Sequence, residues 1–125
     1  MLDIRLPRTI LAILVGAALA TSGGVMQGFF QNPMADPYIV GISAGAALGA
    51  TAAITFKIDF WMFGLNAVPI IAFLSALCVT FLVYILSRLG GRVSSGTLLL
   101  TGIADGSLAS SITSFLMEMD GEEIQ

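Results

Sequence analysis

The string Gly41-Ile42-Ser43-Ala44-Gly45 has the spacing of a nucleophile elbow, Gly-x-Ser-x-Gly, which presents a serine hydroxyl on a sharp turn for acyl transfer. Such a serine needs a base to take its proton, and the chain contains no histidine. An intramembrane serine protease built on Ser43 is therefore disfavoured. The lack of histidine, together with a single cysteine at Cys78, also removes zinc, haem-ligating and disulfide chemistry on ligand count within the chain. Cys78 reads as a small apolar residue, and no Gly-x-x-x-x-Gly-Lys-Ser/Thr string offers a nucleotide-binding loop. The expectation is a protein with no catalytic residue, no cofactor and no metal site. One carboxylate, Asp105, remains isolated in apolar sequence.

The elements that hold these residues follow from composition. Hydrophobic residues make up 57% of the chain and charged residues 10%, where a soluble domain carries roughly 25% charged. Uncharged runs extend over Thr9–Ala35, Pro37–Phe56 and Phe60–Ser87, each at or beyond the roughly 18–20 apolar residues a spanning helix needs. A fourth run, Val93–Met117, is broken only by Asp105. Lipid offers the backbone no hydrogen-bond partner, so these runs are helices. The fold class expected is all-α, a polytopic transmembrane bundle forming one unit over 1–125 with spans at about 9–30, 37–56, 67–87 and 95–117. Net charge is −3, and half of the acidic residues lie in the terminal Glu-Met-Asp-Gly-Glu-Glu-Ile-Gln, so acidity describes a tail rather than a binding surface. No nucleic-acid partner is expected. Arg5, Arg8 and the apolar run to Ala20 outline a cleavable signal peptide, but the apolar sequence continues through Phe30, and cleavage would remove most of a helix.

Local signals punctuate the spans. Pro7 precedes the first, Asp36-Pro37 opens the second, Pro69 sits in the first turn of the third, and Ser94 or Ser95 caps the fourth. Phe60, Trp61 and Phe63 cluster at a span end as an aromatic belt would. Gly24 and Gly28 in the first span and Gly41, Gly45 and Gly49 in the second recur every fourth position, the spacing that lets helices in lipid pack backbone to backbone. Asp105 falls about ten residues past the cap, some 15 Å along a helix. At that depth a carboxylate costs about 2.5–3.5 kcal/mol on insertion scales, so it should face a partner or a wet cavity, or be protonated.

Four ordered motifs carry a resemblance. Arg5-Leu6-Pro7-Arg8, the segment Gly16–Gln27, the turn Asn32-Pro33-Met34-Ala35-Asp36-Pro37 and Gly41–Ala46, followed later by Ser94–Ala104, resemble the permease subunits of the FecCD/BtuC-type ABC importers that take up ferric siderophores, haem and vitamin B12. The resemblance implies a homodimer of about ten helices per subunit, two cytoplasmic ATPase subunits that hydrolyse ATP, an external solute-binding protein, and a multi-pass location in the cell membrane. This chain would match the second through fifth helices, the N-terminal fragment of a longer permease. By the same resemblance Arg5 and Arg8 lie at the external rim where the binding protein docks. Asn32, Met34, Ser94 and Ser95 would narrow the cytoplasmic end of the pathway, and Asp105 would lie on the helix that lines it. Met34 and Val40 replace the usual leucines, and Asp105 stands where an apolar or small residue is usual. Lysine and arginine counts alone do not orient the chain. The other functional class is a small structural or assembly-type helical membrane protein without transport.

Overall fold

A computed structural model describes residues 1–122. The described residues are mainly helical, with α1 (Leu2–Phe30), a 3-10 turn (Pro37–Val40), α2 (Ile42–Thr55), a small antiparallel hairpin of β1 (Trp61–Met62) and β2 (Leu65–Asn66), α3 (Ala67–Arg88) and α4 (Ser95–Glu122). It forms two compact units, divided after Pro37.

In the first unit α1 starts at Leu2, several residues ahead of the expected Thr9, so Pro7 lies inside the helix. Pro7 is the sixth residue of the helix, past its first turn, so its missing N–H removes one bond of the ladder. The helix closes on a left-handed Gln31, φ 50°, whose N–H returns to the Gln27 carbonyl. The next residues form the polar turn that the sequence marks. Asn32 Oδ1 accepts the Met34 N–H at 2.9 Å, and the Asn32 carbonyl accepts the Ala35 N–H at 3.1 Å. Asparagine folds back on its own backbone in this way, and Pro33 supplies the fixed φ that the turn needs. No residue of α1 is buried, and a Cβ on Gly24 or Gly28 would meet nothing within 4 Å.

In the second unit the stretch 37–56 is not one helix. The 3-10 turn ends at Val40, Gly41 takes a left-handed φ of 80°, and α2 restarts at Ile42 for 14 residues. Glycine adopts that φ without a Cβ clash, which is why the interruption falls there. At 1.5 Å per residue α2 is about 21 Å long, short of the roughly 30 Å hydrocarbon layer. The helices α1, α3 and α4 are long and apolar enough to cross it.

α2 packs against both α3 and α4. An added Cβ would lie 2.7 Å from Val79 Cγ2 at Gly45, and 2.5 Å from Ser75 Cβ and 2.8 Å from the Ile71 carbonyl oxygen at Gly49. These glycines therefore let α2 and α3 approach closely. Ser75 Oγ donates to the Gly45 carbonyl at 2.7 Å, a hydrogen bond between helices worth about 0.6 kcal/mol by membrane double-mutant cycles. Other hydroxyls satisfy themselves locally: Thr80 on the Ala76 carbonyl, Ser87 on Tyr84 and Thr113 on Ala109. The buried residues are small, with Val40, Ala53, Ala67, Val83 and Ala109 as the apolar core. Ser94 caps α4, its Oγ accepting the Thr97 N–H at 3.2 Å.

The link between α2 and α3 is tightly turned. Trp61 pairs with Asn66 and Met62 with Leu65, leaving Phe63 and Gly64 as a two-residue loop at φ 55° and 76°. Both positions need positive φ in such a loop. Glycine meets that need freely, whereas a phenylalanine there costs on the order of 1–3 kcal/mol.

Candidate functional site

A close backbone approach in the second unit lies where the interruption before α2 meets α4. A Cβ on Gly102 would stand 2.8 Å from Val40 Cα and 2.9 Å from the Ile39 carbonyl oxygen. One on Gly41 would stand 3.0 Å from the Gly102 carbonyl oxygen and 3.3 Å from Gly106 Cα. Two backbones therefore touch with no side chain between them. Gly102 is seven residues into α4, about 10 Å along its axis, so α2 begins well inside the depth that α4 crosses. The first turn of a helix carries unpaired N–H groups and the positive end of its dipole, and interrupting a helix at membrane depth brings that polarity to where only side chains otherwise supply it.

Beside this crossing runs a groove of about 760 Å³ between the start of α2 and one flank of α4. Its polar groups are hydroxyls: Ser43 from α2, Ser107 and Ser110 from α4, and Tyr38 ahead of the break. Ser107 Oγ donates to the Ile103 carbonyl at 2.8 Å. Among the described residues no charged side chain lines the groove. Such a wall offers weak, exchangeable hydrogen bonds and no fixed charge. Ser43 follows a 3-10 turn rather than a strand, so the strand-to-helix geometry of a nucleophile elbow is not formed around it.

Asp105 lies on α4 between Gly102 and Gly106 but is outside the groove lining. Successive helix residues turn by about 100°, which carries Asp105 to the opposite flank from Ile103, Ser107 and Ser110. The residue is partly buried, and its Oδ2 is shielded from solvent with no hydrogen-bond partner among the described residues. The packed elements offer no cation at its level. α2 contains no charged residue, and the one charged residue of α3 is Arg88 at its end, next to the start of α4.

The other expected residues fall as follows. Arg5 and Arg8 are exposed and three residues apart within α1, not ahead of it, so they share one helix face. Asn32 holds the turn of the first unit, and Met34 is 83% exposed at its tip. Ser94 and Ser95, in the second unit, form the cap and first residue of α4, both exposed. The Gly102/Gly106 pair has the small-x-x-x-small spacing of the ladders in the first two spans, the sequence signal by which the crossing can be found.

Three helices long and apolar enough to span, with the shorter α2 packed through glycine against two of them, define a multi-pass helical membrane protein. The sequence profile of the FecCD transport family matches residues 1–125, and the chain belongs to that family. It is 49% identical over 122 residues to the cobalamin import system permease protein BtuC of Halobacterium salinarum, covering 98% of this chain and 32% of that protein. The hemin transport system permease protein HmuU of Yersinia pestis is 40% identical over 124 residues, covering 98% and 36%. The vitamin B12 import system permease protein BtuC of Klebsiella pneumoniae is 42% identical over 113 residues, covering 88% and 32%. The chain thus spans about a third of the length of these relatives.

Proposed function

We propose that this chain is part of the membrane permease of an ABC importer for a metal chelate of cobalamin, haem or ferric-siderophore type. The observation that carries the reading is the family match over the whole chain. Two of the relatives described above are named for cobalamin or vitamin B12 and one for hemin, which favours a large tetrapyrrole-like macrocycle as cargo. The chain itself hydrolyses nothing. Two cytoplasmic ATPase subunits supply the energy, an external binding protein delivers the cargo, and two permease copies enclose the pathway.

On this reading the hydroxyl-bearing groove on α2 and α4 is pathway wall. A wall of weak hydrogen bonds lets a polar chelate pass without trapping it, as fixed charge would. The glycine crossing at Gly41 and Gly102 lets α2 and α4 shift against each other with no side chain to unlock, which suits a pathway that opens alternately to each side. Asn32, Met34, Ser94 and Ser95 narrow the cytoplasmic end. Gly24 and Gly28 pack α1 against further helices of the assembled permease.

Arg5 and Arg8 form the external rim and receive acidic groups of the binding protein. Charges at a rim act mainly on association rate and are screened by salt. In the protein expressed from its complete gene and held in nanodiscs, Arg5→Glu with Arg8→Glu should slow binding-protein association by about tenfold at low salt, with the difference shrinking as salt rises. Unchanged association at low salt removes the two arginines from the rim.

A further inference from the structure

We propose that the hairpin between α2 and α3 is a membrane anchor, with Phe63 at its tip and Trp61 on its first strand seated among phospholipid headgroups. The inference rests on α3 crossing the membrane and goes beyond the permease reading.

Position comes first. β2 runs directly into Ala67, the first residue of α3, which is long and apolar enough to span. The hairpin therefore starts at the membrane boundary. With two residues per strand, and about 3.3 Å per residue, its tip stands no more than roughly 10 Å from the start of α3. The headgroup layer on each side of the hydrocarbon is about 5–8 Å deep. A hairpin of this length leaves that layer only if it stands upright, and even then by a few ångströms.

Its surface fits that place. Trp61 is 75% exposed and Phe63 92% exposed, and Phe60, Met62 and Leu65 beside them are exposed as well. A cluster of this kind facing water is unfavourable, whereas aromatic rings, tryptophan above all, favour the boundary, where an apolar body and a polar edge are both satisfied. Lys57 and Asp59 stand exposed at the base, and a lysine at this level reaches phosphate with its ammonium while its stem lies along the apolar layer.

The turn points the same way. Phe63 holds a left-handed φ of 55°, a position that asparagine or glycine occupies readily and phenylalanine does not. The fold tolerates this strain and so carries an aromatic side chain at the tip of its tightest turn.

Trp61 is the only tryptophan in these 125 residues, which makes it the reporter. The protein is placed in phosphatidylcholine nanodiscs with lipids brominated at shallow or deep acyl positions, and the signal of a Trp61→Phe variant is subtracted. Shallow bromines should quench Trp61 about twofold more than deep ones, and aqueous iodide should quench it weakly. Phe63→Asn, which suits the turn and removes the aromatic tip, should raise iodide quenching about twofold. Iodide quenching as strong as that of free tryptophan, with none by lipid, overturns the anchor in favour of a surface facing water or a soluble partner. Shielding from both quenchers overturns it as well, because the hairpin is then covered by protein.

Discussion

Gly102→Ala is expected to destabilise the protein by about 2–3 kcal/mol, while Gly106→Ala, one turn further along α4, changes stability by less than about 1 kcal/mol. The contrast follows from what each new methyl would meet. At Gly102 it would stand 2.8 Å from Val40 Cα and 2.9 Å from the Ile39 carbonyl oxygen, and neither is the end of a flexible side chain that can turn aside. The 3-10 turn or α4 itself must move. At Gly106 the nearest atom is Gly41 Cα at 3.4 Å, ordinary van der Waals contact. Thermal unfolding of both variants in detergent micelles reads the difference, and equal stabilities would mean that the backbones do not cross at Gly102. On the proposed function Gly102→Ala also lowers transport, because α2 and α4 no longer slide on bare backbone.

Asp105→Ala is expected to have the opposite sign, raising stability by about 1–3 kcal/mol. Asp105 Oδ2 is shielded with no hydrogen-bond partner among the described residues, and burying a polar atom in that state costs free energy that an apolar replacement recovers. Alanine also removes a weak helix former from the middle of α4. Denaturation of the wild-type and variant proteins in the same micelles measures the sign. Lower stability in the variant would show that a helix beyond these residues satisfies the carboxylate. A gain in stability accompanied by lost uptake would mark Asp105 as a functional group kept at a structural cost.

Much of this arrangement is legible in the sequence where local chemistry decides it. Asn32-Pro33 makes its turn because asparagine folds onto its own backbone, and Ser94 caps α4 because a hydroxyl there satisfies an N–H of the first turn. Gly45 and Gly49 meet α3 as a ladder of small residues should. What stays hidden depends on contacts distant in sequence. Gly41 reads as one more rung of a continuous helix, and only the approach of Gly102 from α4 makes its left-handed φ the place where the chain breaks. The groove is hidden for the same reason, since Ser43 and Ser107 meet it only because α2 starts where α4 carries its glycines. α1 begins at Leu2 rather than Thr9 because the bond that Pro7 removes near the helix end is tolerated, although in the sequence Pro7 reads as a boundary. The side of α4 that Asp105 takes is set by the packing of Gly102 and Ala109, which periodicity does not reveal in a helix whose hydroxyls are spread around its circumference.

The central claim is that the chain belongs to the pathway of an energy-driven importer, and uptake into sealed vesicles tests it most directly. The protein expressed from its complete gene is reconstituted into proteoliposomes with its ATPase and binding protein, and labelled cobalamin, haem and a ferric siderophore are supplied outside with ATP inside. The account predicts accumulation of one of these chelates that requires ATP and the binding protein and is lost in Gly102→Val, whose branched side chain cannot fit against Val40 and Ile39. Absence of ATP-dependent accumulation of all three, from vesicles in which the complex is assembled and the ATPase is active, would contradict it.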